Sequence, residues 1–277
     1  MDHVRLGEVE LAYQVVGSGA PVVLIHAGAL ADFFAPLQTP PALADHHLVI
    51  RYHRIGYGAS SRPPGPVEIT DQADHCRRLL AHLGIPAAHI VGHSSGGLIA
   101  LQLARQAPQV VASLALLEPA LTVPSSPILA QQVIAPMAQR YTAGDPAGAI
   151  EVFLRGVGGP DAPATIQRTL GADALPQAAT DAATFFEVEA PAVGRWRFTQ
   201  TDAATITQPV LAVLGEHSHQ VSPVSDEAHE LLLRWFPQAE TYVLPAATHL
   251  LHLHNPTDLA QALAAFLRRH PLPPTIA

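Results

Sequence analysis

The chain has 277 residues, 48% of them hydrophobic, which suits one large α/β domain or a core carrying an insertion. A net charge of −8 and the lack of any basic run argue against nucleic-acid binding, the absence of Lys reads as compositional drift, and a single cysteine, Cys76, excludes an internal disulfide framework. The first five residues have no signal-peptide core and no apolar run reaches the length of a membrane span, so a cytoplasmic protein with no membrane partner is expected.

Residues 6–16 alternate loosely and predict one or two antiparallel edge strands, closed by the turn Gly17-Ser18-Gly19. Residues 21–25 and 47–52 are short apolar runs, as in strands buried on both faces. Residues 69–83 have helical spacing, stop at Gly84, and contain Cys76 as a passive thiol. Further buried strands are predicted over 88–91, 110–117, 209–214 and 241–244, and an amphipathic helix over 256–269 ends on Arg268 and Arg269, which suits its dipole. Short apolar strands alternating with helices indicate a mostly parallel sheet with helices on both faces. Residues 120–207 break this rhythm: no buried-strand run occurs, and eight prolines from Pro124 to Pro191 punctuate short helical pieces. This stretch is expected to be a helical cap inserted into a core formed by 1–119 and 208–277, with a loose tail from Pro271.

The chemistry concentrates at Gly92-His93-Ser94-Ser95-Gly96, between an apolar strand and an amphipathic helix. A serine on such a tight strand-to-helix turn has its hydroxyl lifted clear of the backbone, glycines permit close backbone approach, and the helix aims free N–H groups at the site. A serine hydroxyl is a poor nucleophile at neutral pH and needs an adjacent base. A serine that merely caps the following helix is the plainer alternative.

In order along the chain, His26-Ala27-Gly28, Gly56-Tyr57-Gly58-Ala59-Ser60, the Ser94 turn, Gly215-Glu216-His217 and Ala246-Ala247-Thr248-His249 resemble the landmarks of the α/β-hydrolase superfamily. The resemblance covers nearly all of the chain outside the cap. It implies an α/β-hydrolase fold with an eight-stranded, mostly parallel sheet, Ser94 as nucleophile and His249 as base, with His252 and His254 as nearby competitors. It also implies an oxyanion hole of two backbone N–H groups, one from Ser95 and one from Gly28, with Ala29 the alternative because Ala27 replaces the family's usual glycine. His26 is expected to brace that loop.

The acid departs from the family pattern. Ser218 occupies the position where the family usually has Asp, and a serine cannot stay anionic opposite an imidazolium. Glu118, at the end of the strand beside the nucleophile strand, is the expected substitute, as in zearalenone-type lactonases; Glu216 and Asp226 are the alternatives. Glu216 and Ser218 are expected not to touch the base. The predicted reaction is hydrolysis of a small uncharged ester or lactone through an acyl-enzyme, with no metal and no organic cofactor. C–C bond hydrolysis, cofactor-free haloperoxidase chemistry and a silent binding protein are the alternatives. Phe185, Phe186 and Trp196 are the candidate substrate-binding residues of the cap, competing with a role in its own packing. The pattern does not fix the oligomeric state and leaves a homodimer open.

Overall fold

In a computed structural model, which describes residues 1–63 and 65–272, the apolar runs assemble into one eight-stranded sheet. The strands are β1 (Asp2–Leu6), β2 (Val9–Val16), β3 (Ala20–Ile25), β4 (His47–Tyr52), β5 (Ala88–His93), β6 (Val111–Leu117), β7 (Val210–Gly215) and β8 (Glu240–Leu244). Their spatial order is β1-β2-β4-β3-β5-β6-β7-β8. β1 and β2 pair antiparallel at one edge, and every pairing from β4 to β8 is parallel. This is the α/β-hydrolase architecture that the resemblance implies. Residues 273–277, the greater part of the expected loose tail, lie outside the described residues.

Strand pleating explains the continuous apolar runs. On β3, Val23 and Ile25 point to one face of the sheet, while Val22 and Leu24 point to the other. β6 does the same with Leu114 and Leu116 against Ala115 and Leu117. The first face is covered by helices Ile69–His82 and Ser95–Gln106, the second by helix Pro256–Arg269. Each large side chain so buried contributes about 1.5–3 kcal/mol of transfer free energy before chain entropy is charged against it. Cys76 is buried in the first layer, and burial pushes its thiol up to about 12, so it is inert at neutral pH.

Between β6 and β7 the chain forms only helices and turns. Pro127, Pro146 and Pro163 sit at the first or second position of their helices, where a missing N–H costs nothing, while Pro136 and Pro191 closely follow the wide π-helical turns Ala130–Ile134 and Thr184–Glu189. These helices share a third apolar cluster with the loops after β3 and β8, including Phe33, Met137, Leu154, Phe185 and Leu250. Polar ties add to it, all anchored on the loop after β4. Arg54 Nη2 donates to both oxygens of Glu189 at 3.0 and 2.9 Å, Arg62 Nη2 donates to Asp181 at 2.6 Å, and Thr184 Oγ1 donates to the Gly56 carbonyl at 2.7 Å. Gly56 has φ +85° and lies so close to Thr184 that a Cβ would collide with it. No helix among the described residues is long and apolar enough to cross a membrane.

Candidate active site

Four non-glycine residues among those described have positive φ: Ala29 at 70°, Ser94 at 53°, Glu118 at 40° and Ala246 at 55°. They follow β3, β5, β6 and β8, so the strained backbone is gathered along one edge of the sheet. Such conformations cost about 1–3 kcal/mol each and persist where the surrounding structure enforces them, commonly at functional sites.

At the Ser94 turn the enforcement is visible. Ser94 N–H donates to the Leu117 carbonyl at 3.0 Å, and the Ser94 carbonyl accepts from Gly97 at 2.9 Å and Ala120 at 3.1 Å. A Cβ on Gly96 would collide with the Ile25 carbonyl, and one on Gly92 with the Gly96 carbonyl. The turn therefore fits only glycine at both positions, and helix Ser95–Gln106 starts directly after the serine.

His249 follows β8 by a short loop. Its Nδ1 lies 2.7 Å from Glu118 Oε2, which leaves Nε2 as the free ring nitrogen. Glu118 is buried and has every acceptor direction used. Oε1 accepts from Gly215 N–H at 2.7 Å and from the Ser218 hydroxyl, while Oε2 also accepts from the Ser225 hydroxyl at 2.8 Å. Burial by itself would push this carboxyl up. The hydrogen bond and charge of His249, with Ser218 and Gly215 N–H, outweigh burial and hold it below the usual carboxylate range. Ser218 thus makes no hydrogen bond to His249 among the described residues but donates to Glu118. The position at which the family usually has Asp here carries a hydroxyl that donates to the Glu118 carboxylate. Ser225 does the same from the helix Val224–Trp235, and no sequence signal marked it.

Glu216 and Asp226, the alternative acids, are not on His249. Glu216 is exposed and accepts from Ala246 N–H at 2.8 Å, bracing the loop that leads to His249. His252 is fully buried with neither ring nitrogen bonded, stacked on Phe34 at a centroid distance of 4.6 Å, and burial lowers it to about 3. His93 Nε2 lies 2.9 Å from the His249 carbonyl, tying the Ser94 turn to the loop after β8. His26 Nε2 accepts the Arg54 N–H at 2.9 Å and so braces the loop after β3.

Ser94, His249, Glu118, Ser95 and Gly28 all line one cavity of about 380 Å³, mostly apolar, with Met137, Phe153 and Phe185 among its walls. Ser94 Oγ and His249 Nε2 carry no hydrogen bond among the described residues; such contacts are often long in unliganded enzymes and tighten around substrate. Of the three aromatic candidates, Phe185 lines the cavity and the other two do not. Phe186 stacks on Tyr141 at 4.3 Å and meets Phe185 edge-on at 5.3 Å. Trp196 stacks on Phe198 at 5.2 Å and donates to Gln102 at 3.0 Å, against the core helix. In this structure both have their stacking partners, and Trp196 its N–H partner, away from the cavity lining. Glu189, which the sequence reading passed over, does line it. Among the described residues no three His, Cys, Asp or Glu side chains are grouped as a metal site.

Comparison with known proteins agrees with this geometry at the level of family. A 115-residue stretch is 39% identical to an Azorhizobium caulinodans protein named for carbamate hydrolysis, covering 41% of this chain and 43% of that protein. Over 259 residues the chain is 29% identical to the dihydrolipoyllysine-residue acetyltransferase component of the acetoin cleaving system of Pseudomonas putida, covering 91% of this chain and 64% of that protein. The chain therefore matches less than two-thirds of the length of either relative. Among solved structures it resembles Est816, described as an N-acyl homoserine lactone degrading enzyme, with TM-score 0.73, 25% identity, and coverage of 96% of this chain and 100% of that one. The family model for the alpha/beta hydrolase fold matches residues 20–256, and the chain belongs to that family.

Proposed function

We propose that the protein is a serine hydrolase that cleaves carboxylic esters or lactones through an acyl-enzyme, with Ser94 as nucleophile, His249 as base and Glu118 as acid. The observation that carries the reading is the 2.7 Å contact between His249 Nδ1 and a buried carboxylate, made across from a serine on a strained strand-to-helix turn in the same cavity. Ser94 Oγ attacks the carbonyl carbon while His249 Nε2 takes its proton. Glu118 fixes the tautomer and stabilises the imidazolium, and the tetrahedral oxyanion is met by N–H groups at the start of helix Ser95–Gln106. The alcohol leaves with the proton from His249, and water activated by the same nitrogen releases the acid. In a lactone both products are one molecule.

A mostly apolar cavity favours uncharged substrates. The likeness to a lactone-degrading enzyme supports including lactones in that class. A silent binding protein is disfavoured because the loss of Asp at Ser218 is compensated by Glu118. A panel of p-nitrophenyl esters and lactones, run with wild type and Ser94→Ala, tests the reading. Turnover in wild type that is absent from the variant is expected; equal turnover in both would overturn it.

A further inference from the structure

The residue after the nucleophile is assigned only a backbone role by its position, yet its side chain is placed for more. Ser95 is 6% exposed and lines the cavity. Its Oγ accepts the Gly28 N–H at 3.0 Å. The N–H that the family pattern would aim at an oxyanion is therefore directed at a hydroxyl. A hydroxyl has one donor and two acceptor directions. The Gly28 N–H uses an acceptor direction, and the Ser95 O–H donates no hydrogen bond among the described residues. A buried donor left in this state is directed by elimination to whatever occupies the cavity.

Gly28 is not free to reorient. A Cβ there would meet the Phe185 ring at 2.6 Å and Glu189 Oε1 at 2.9 Å, so the cap presses on its back, and Ala29 beyond it is held at φ 70°. The loop is fixed with its N–H on Ser95.

We infer that the Ser95 hydroxyl is a catalytic residue: it relays the Gly28 N–H to the developing oxyanion as a polarised O–H donor, beside its own backbone N–H. The inference rests on the acyl-transfer reading of Ser94. In the chain N–H to O–H to oxyanion each bond strengthens the next. A donor already in place needs no reorganisation as charge develops, and it gains more from an oxyanion than from a neutral carbonyl. Its removal therefore falls on kcat and leaves KM nearly unchanged. A hydroxyl that merely plugged the hole would have to leave before reaction, and its removal would raise kcat.

The test measures p-nitrophenyl butyrate hydrolysis by wild type, Ser95→Ala, Ser95→Cys and Ser94→Ala, with inhibition by an alkyl boronic acid that forms a tetrahedral adduct. Ser95→Ala is expected to lower kcat on the order of 10- to 10²-fold with KM within about threefold, and to weaken boronic-acid inhibition by a similar factor. Ser95→Cys, nearly isosteric but a weak donor, should show the same loss and decides the matter if the alanine variant does not fold. If Ser94→Ala is inactive while both Ser95 variants match or exceed wild type, acyl transfer stands and the relay is overturned. A raised KM with unchanged kcat also overturns it. Wild-type turnover in Ser94→Ala removes both.

Discussion

Replacing Glu118 by Gln changes no volume but removes the charge on which the His249 tautomer depends. The carboxylate accepts from four donors, two on each oxygen. Gln offers only one acceptor oxygen. The Gly215 N–H at 2.7 Å belongs to the backbone and cannot turn away, and it shares Oε1 with Ser218, so the amide oxygen should settle there. The amide NH₂ then faces Ser225 and His249. Ser225 can rotate to accept. His249 can accept only with Nδ1 deprotonated, which puts its proton on Nε2, the nitrogen that must receive the Ser94 proton. The expected cost is that of a wrong tautomer plus loss of the charge opposite the imidazolium, on the order of 10³- to 10⁴-fold in kcat, or about 4–5.5 kcal/mol of barrier. KM should stay within a few-fold, since the substitution keeps the side chain's shape in the cavity wall and acts through His249 Nδ1. Steady-state hydrolysis of a p-nitrophenyl ester reads both constants, with Glu216→Gln as the comparison. The latter loses only a brace to Ala246 N–H from an exposed side chain and should fall within about tenfold of wild type. Near-normal kcat in Glu118→Gln with collapse in Glu216→Gln would refute this and return the acid to the loop after β7.

The remaining expectations follow from the same contacts. Ser218→Ala and Ser225→Ala each strip one donor from Glu118 and should lower kcat about tenfold or less with little change in KM; a loss equal to that of Glu118→Gln would mean that they do more than hold the acid. His249→Ala should cost as much as loss of the nucleophile, and His252→Ala much less in kcat, because His252 makes no hydrogen bond among the described residues and only packs against Phe33, Phe34 and His93; reversed effects would misplace the base. Glu189→Gln leaves the buried Arg54 without a counter-ion and should destabilise by roughly 3–5 kcal/mol, seen as a melting temperature lower by about 10 °C; an unchanged melt would deny the pair its role in seating the cap. Glu118 is held below its ordinary value of 4.5 in the folded state, so the stability it contributes is present above that pH and is lost as pH falls through the folded value. Acid unfolding of Glu118→Gln should accordingly show less pH dependence in that window than wild type does.

The pattern of short apolar runs was enough to locate β3 to β7, because strands buried on both faces must be apolar throughout, and 241–244 marked β8 although only one of its faces is covered; β1, Asp2–Leu6, was missed because a half-exposed edge strand carries no apolar run. The pattern also located the helix Pro256–Arg269 to the residue, through Pro at its start and arginines at its end. The placement of a carboxylate at Glu118 was legible because β6 had to return to the edge where β5 ends. What surrounds that carboxylate was not legible. Ser218 looked like a loss, and only the register of β6 against β7, with Leu117 opposite Val213, brings it onto Glu118. Ser225 is one of many surface-like serines in sequence, and its role depends on the pitch of its helix. That Trp196 and Phe186 pack away from the cavity lining was not legible either, because an aromatic residue in the helical stretch between β6 and β7 carries no signal for the side on which it packs. The same holds for Glu189, whose partners Arg54 and Tyr57 lie far away in the chain and meet it only in the fold.

The most direct measurement of the central claim is covalent labelling. An alkyl fluorophosphonate phosphonylates a serine only where a base activates it and an oxyanion hole receives the charge. Incubation of the intact protein, followed by peptide mass spectrometry, should give a single adduct on Ser94, lost in Ser94→Ala and strongly slowed in His249→Ala and Glu118→Gln. No adduct on wild type, or an adduct on another serine that survives in Ser94→Ala, would contradict the Ser94–His249–Glu118 assignment.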